Sequence, residues 1–234
     1  MKDWIFHTWN EWFINFLLLF YVADFEPLIA LKNFVIGYIA FISFYEIGYI
    51  VNDFYAVKKE KAPRMRFGSQ QVSQFIIWLW VAIRVAIFLA ISYYFHFSAD
   101  WMLFYLGLGI VFALHNVLTS SALKTFTFLQ LAIFRFWAPV FMFVPKSLIG
   151  LLFPVVFFYY VFNRTLTYMD SKSLLQMPER LSISFRLQAS LVLLTFLLFW
   201  AYFVQSWLCV LCAVYFLLFW IIVSVLGRQF SSTS

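Results

Sequence analysis

The stretch WLCVLCAVYFLLFWIIVSVL, Trp207 to Leu226, runs for twenty residues without one charged side chain. A helix crossing a hydrocarbon layer of about 30 Å needs about 20 predominantly apolar residues, so this stretch reads as a membrane span. Outward from it, the composition says the same of the whole chain. Of 234 residues, 65% are apolar, 24% aromatic and 11% charged, and the mean hydropathy is +0.91. A soluble domain is about 45 to 50% apolar and about 25% charged, and the excess here cannot be hidden inside one globule. Two Cys cannot supply a disulfide framework, and seven Gly with six Pro exclude collagen and low-complexity chains.

Cutting the chain at charges, Pro and polar clusters yields eight apolar runs: Asn10 to Ala23, Leu28 to Val51, Phe75 to Phe97, Met102 to Leu118, Phe126 to Val144, Ser147 to Phe162, Phe185 to Val204 and Trp207 to Leu226. The expected fold is an all-α integral membrane protein, a single bundle of about eight transmembrane helices over residues 1–234. The first run is short and flanked by Asp24, Glu26 and Pro27, which fits a tilted, interfacial or neighbour-buried helix. Acidic Asp3 and Glu11, rather than a basic cluster, precede Trp12 to Val22, which argues against a cleaved signal peptide. The net charge of +6 is best read by its distribution. With the N-terminus cytoplasmic and eight crossings, twelve of the sixteen Lys and Arg fall inside: Lys2, Lys58, Lys59, Lys61, Arg64, Arg66, Lys124, Arg164, Lys172, Arg180, Arg186 and Arg228. Both termini and the two long polar connections, Asn52 to Gln74 and Asn163 to Ser184, are then cytoplasmic, and nucleic acid is not an expected partner.

The chemistry-bearing residues concentrate in those two connections. On a helix Asn52, Ala56 and Glu60 share one face with Asp53 beside them. An amide and carboxylates at a helix end suit a hard cation such as Mg²⁺, which binds through one or two carboxylates plus phosphate oxygens. Lys58, Lys59, Arg64 and Arg66 are placed to neutralise the remaining phosphate charge. A helix cap followed by an ordinary positive-inside loop is the alternative. Asn52-Asp53 after an apolar helix, then a spaced acid and a basic Pro-Arg segment, resembles the first signature of the UbiA-type membrane prenyltransferase family, N-D-x-x-D-x-x-x-D. Asn52 and Asp53 match, Glu60 replaces the last Asp, and Ala56 stands where the middle Asp would be. Phe34 to Tyr55 and Trp9 to Phe20, with Trp12 and Asn15, are loosely similar to the decaprenyl-phosphate phosphoribosyltransferase branch.

The resemblance covers about Trp9 to Val204 and implies a Mg²⁺-dependent transferase in a bacterial inner membrane. It would move a prenyl group from a polyprenyl diphosphate, or a phosphoribosyl-type group onto a polyprenyl phosphate. Mg²⁺ would be held by Asn52, Asp53, Glu60 and Asp170. Asp170 is the carboxylate left at the position of the family's second signature, with Thr167 and Asn163 on the same helical face. Asp53, Asp170 and Lys172 are the expected catalytic residues. Arg164, Tyr168 and Lys124, in a segment resembling the family's short loop before its fifth helix, join the expected substrate contacts. The family usually has nine spans where eight are counted here.

Charges inside spans need partners, at a cost of at least about 2.5 to 3.5 kcal/mol. Glu46, two turns before Asp53, is expected to line the cavity and pair with Arg84 or Arg135, the latter a further substrate contact; a purely structural pair is the alternative. Cys209 and Cys212 read as packing, and His115 at a helix end as a satisfied polar group rather than a base or ligand. Two other functions stay open: a catalytically degenerate lipid-binding or assembly subunit, and a small transporter using Glu46, Arg84 and Arg135.

Overall fold

The structure is a computed structural model that describes residues 3–56 and 73–231; the side chains of Asp3, Tyr55, Ala56, Leu181 and residues 227–231 are outside that description. Helix α1 (Asp3–His7) passes through a π-helical segment, Thr8–Phe13, into α2 (Ile14–Val22). Helix α3 (Pro27–Val51) ends in a second π segment, Asn52–Ala56. Then follow α4 (Gln74–Tyr94), α5 (Ala99–Val117) and α6 (Ser121–Trp137). Helix α7 (Lys146–Val156) runs through a third π segment, Phe157–Phe162, into α8 (Asn163–Ser171). A 3₁₀ turn, Pro178–Leu181, leads to α9 (Ile183–Phe203) and α10 (Trp207–Ser231).

No strand occurs among the described residues, and six helical stretches are long and apolar enough to cross a membrane: Pro27–Phe54, Gln74–Tyr94, Ala99–Val117, Lys146–Ser171, Ile183–Phe203 and Trp207–Leu226. Large apolar side chains on them face outward, among them Phe75 on α4 and Phe199 on α9, as lipid-facing surfaces do. The chain is an all-helical multi-pass membrane protein. Two of the eight apolar runs take a different form. The first is assembled from short pieces rather than one helix. The fifth starts earlier, at Ser121, and stops at Trp137 after 17 residues, about 26 Å of helix. Pro139 has no N–H with which to extend it, and Ala138 to Val144 follow as turns.

The helices group into two compact units: Ile14–Val144 (the first unit), and the residues up to Phe13 together with those from Pro145 onward (the second unit). In the first, α3 packs against α2, α4 and α5, and α5 against α6. Two glycines permit this approach. A Cβ on Gly37 would collide with the Pro139 carbonyl, and one on Gly48 with the Phe112 ring. Buried polar groups are tied in: Trp101 Nε1 donates to Ser92 Oγ at 3.0 Å, and Ser92 Oγ donates to the Phe88 carbonyl at 2.8 Å.

In the second unit α10 packs on α9 and α7. Side chains reach backbone carbonyls across helices: Tyr159 Oη to Ser190 at 2.9 Å, Trp200 Nε1 to Leu151 at 3.1 Å and Tyr215 Oη to Trp9 at 2.6 Å. Cys209 Sγ also meets the Leu151 carbonyl at 3.5 Å, and Cys209 and Cys212 are both buried free thiols, in keeping with packing. Pro154 lies inside α7 just ahead of the third π segment, where the missing N–H already interrupts the ladder. At the far end of the segment Asn163 Nδ2 donates to the Phe158 and Tyr159 carbonyls, at 3.2 and 2.9 Å.

Candidate functional site

Widened helical turns are often found at functional sites, because the extra residue frees backbone groups and redirects side chains. Here the three π segments contain Glu11, Asp53 and Tyr160. In the first unit, Asn52 Nδ2 donates to Asp53 Oδ1 at 3.1 Å. Asp53 is 7% exposed, and its Oδ2 is buried with no hydrogen-bond partner among the described residues. A buried carboxylate oxygen is costly unless something compensates it, so this atom is the outstanding polar group of the site. The sequence places Asp53 at a helix end rather than in the packed interior; in the structure it is buried, in a π segment that packs against α3 and α5. Among the described residues no three His, Cys, Asp or Glu side chains come together as a metal site. A cation at Asn52 and Asp53 would therefore complete its shell from Glu60, from substrate phosphate or from water. The hard oxygen donors and the uncompensated Oδ2 fit such an ion. Lys58, Lys59, Glu60, Arg64 and Arg66 lie outside the described residues.

Of the two partners expected for Glu46, the first unit pairs it with Arg84, at 2.5 Å. Arg84 also lies over the Trp80 ring, 4.5 Å from its centroid. Arg135 instead donates to Tyr49 Oη at 3.1 Å and lies 5.6 Å over the Tyr45 ring. Lys124, expected on a loop, is buried in the first turn of α6 behind the Ser120 cap. One turn on, Thr127 Oγ1 donates to the Lys124 carbonyl at 3.0 Å and meets His115 Nδ1 at 2.8 Å, which makes His115 a satisfied polar group.

The second unit holds a polar cluster that the sequence reading missed. Glu11 Oε1 accepts from Arg164 at 2.8 Å and from Tyr160 Oη at 2.6 Å, and His7 Nδ1 lies 2.5 Å away. The Glu11 side chain is 4% exposed and Tyr160 is fully buried. Arg164 is thus committed to a carboxylate rather than held out toward a phosphate. The predicted face of α8 exists, but it meets a second guanidinium. Thr167 Oγ1 donates to the Asn163 carbonyl at 2.9 Å and accepts from Arg180 at 3.2 Å, and Arg180 forms an ion pair with Asp170. Lys172 lies 6.0 Å over the Tyr168 ring. The only signal for Glu11 and Arg180 in the sequence is an acid inside an apolar run and a base in a polar loop.

An aromatic row connects these groups. Arg164 lies over Tyr160 at 5.4 Å, Tyr160 stacks on Phe6 at 6.5 Å, Phe6 meets Trp220 at 6.3 Å, and Arg186 lies over Trp220 at 5.0 Å. Comparison of the chain with protein-family models, curated proteins and solved structures finds no match.

Proposed function

We propose that the chain is a UbiA-like membrane transferase, one domain over 1–234 with eight crossings and cytoplasmic termini in a bacterial inner membrane. It moves a prenyl group from a polyprenyl diphosphate, or a phosphoribosyl-type group onto a polyprenyl phosphate. The observation that supports this reading is the Asn52-Asp53 π turn, with a buried carboxylate oxygen that has no partner among the described residues, immediately ahead in sequence of the basic stretch Lys58 to Arg66. Mg²⁺ there would be held by Asn52 and Asp53, with Glu60 and Asp170 as further ligands, and would neutralise charge on a leaving diphosphate. The chain's own part is to bind and orient phosphate with Lys58, Lys59, Arg64 and Arg66, and to bring Lys172 and Tyr168 from the second polar connection.

One observation favours a second reading. Asp170 is already neutralised by Arg180, so it joins a metal only by giving up that pair. With Ala56 in place of a further Asp, this fits a degenerate lipid-binding or assembly subunit. Product formation from labelled polyprenyl donors, followed by mass spectrometry with and without Mg²⁺, decides between the two. For the transferase, purified protein turns over in Mg²⁺ and Asp53→Asn abolishes product. The variant stays folded, because it removes an uncompensated buried charge rather than a paired one. An inactive native chain that gains activity in Ala56→Asp establishes the degenerate reading, and an unchanged rate in Asp53→Asn removes Asp53 from the mechanism.

A further inference from the structure

Arg186 stands in the first turn of α9, where Ser182 Oγ caps the helix by accepting the Phe185 N–H at 3.1 Å. Its guanidinium is fixed on two sides: Nε donates to the Arg180 carbonyl at 2.9 Å, and the group lies 5.0 Å over the Trp220 ring. Its two terminal nitrogens have no hydrogen-bond partner among the described residues, and no carboxylate there is within ion-pair distance. Its neighbours differ, since Arg164 is balanced by Glu11 and Arg180 by Asp170. Arg180 itself is 6% exposed, and its Nε is a buried donor without a hydrogen-bond partner among the described residues.

A planar fork with five donors matches the oxygens of a phosphate two at a time. For a mobile arginine much of that gain is lost in ordering the side chain, but Arg186 is ordered beforehand by Trp220 and the Arg180 carbonyl. We propose that Arg186, held by Trp220 and the Arg180 carbonyl, is a binding site for a phosphate group on the second unit. Two sources carry that chemistry: the headgroup of an anionic lipid, since α9 is itself a span, and a soluble diphosphate. The site uses no residue of the Asn52-Asp53 turn and holds whether or not that turn supports transfer.

The test uses the purified full chain in detergent and the arginine reagent phenylglyoxal, with modification of Arg186 followed by peptide mass spectrometry. The probes are phosphatidic acid in mixed micelles and inorganic diphosphate, each against sodium chloride of equal ionic strength. The expected result is that at least one probe slows modification of Arg186 about tenfold, while Arg84, paired with Glu46, reacts as in chloride. Protection by the lipid alone assigns the site to a headgroup; protection by both assigns it to the phosphate group itself. A rate at Arg186 that is equal in all three solutions, or an Arg186 that is unreactive in chloride, overturns the proposal. Arg186→Lys keeps the charge and loses the fork, and is expected to bind whichever probe protects Arg186 about tenfold more weakly; equal binding of that probe also overturns the proposal, and protection by diphosphate alone assigns the site to a soluble ligand.

Discussion

Glu11 carries more polar contacts than any other carboxylate described in the second unit, and three of them arrive at one oxygen. Taking two charges out of water costs more than their attraction alone returns, so such a pair holds only when further donors complete it. Tyr160 and His7 complete this one. Removing the acid leaves the half-buried Arg164 charge without this counter-ion, whereas removing the tyrosine hydroxyl deletes one donor and keeps the pair. Glu11→Gln is therefore expected to destabilise the folded protein by about 3 to 5 kcal/mol, and Tyr160→Phe by about 1.5 to 3 kcal/mol. Thermal melting in detergent would show it, and a Tyr160→Phe variant melting below Glu11→Gln would contradict this arrangement. None of this was legible in the sequence, because Glu11 and Arg164 are 153 residues apart and no local spacing joins them. Asn52 and Asp53 could be singled out from sequence because they are adjacent polar residues at the end of an apolar run, but the hydrogen bond between them could not, since neighbours on a regular helix do not face each other.

Helices were the most legible level, since a span declares itself by apolar length alone, but their ends and interruptions were not. Glycine is the usual residue just past a helix end, where the backbone turns left-handed. With seven glycines in the chain, that signal is sparse. Asp24, His96, Ser173 and Gln205 take the left-handed conformation instead, at φ 50, 50, 56 and 52°. At each, the next residue's N–H reaches back five positions, as in Leu174 to the Met169 carbonyl at 2.9 Å. The π segments escaped as well, since no residue type marks the one extra residue in a turn: they read TWNEWF, NDFYA and FFYYVF. A side chain in the left-handed region costs roughly 1 to 2 kcal/mol, and glycine's greater freedom when unfolded offsets about 0.5 to 1 of it. Ser173 is exposed, and its side chain makes no hydrogen bond among the described residues. Ser173→Gly is thus expected to raise stability by about 0.5 kcal/mol, read as a higher melting temperature; a lower one would mean the turn is not under this strain.

At the scale of the whole molecule, the transferase reading depends on the parity of crossings between the two polar connections. Between Asn52-Asp53 and Asp170 the chain runs through Gln74–Tyr94, Ala99–Val117, Ser121–Trp137 and Lys146–Ser171. Three of these are long and apolar enough to cross; the helix Ser121–Trp137, with 17 residues, is the one in question. If it crosses, the number is even and both connections face one side of the membrane. If it lies in the interface, the number is odd and Asp53 and Asp170 face opposite sides, where no shared ligand can reach them. Its length of about 26 Å is within the few ångströms that local thinning of the bilayer accommodates. Its charges argue in the same direction. Lys124 is buried near one end and Arg135 is held by Tyr49 and Tyr45 near the other, so neither points into lipid. Single cysteines at Ser69 and Ser173 test this directly, because the native Cys209 and Cys212 are buried and react slowly. With a membrane-impermeant maleimide, both introduced thiols are expected to react in inside-out vesicles and to resist it in right-side-out ones. Labelling from opposite sides would leave the Asn52-Asp53 turn and Asp170 in separate compartments and end the case for a common diphosphate site.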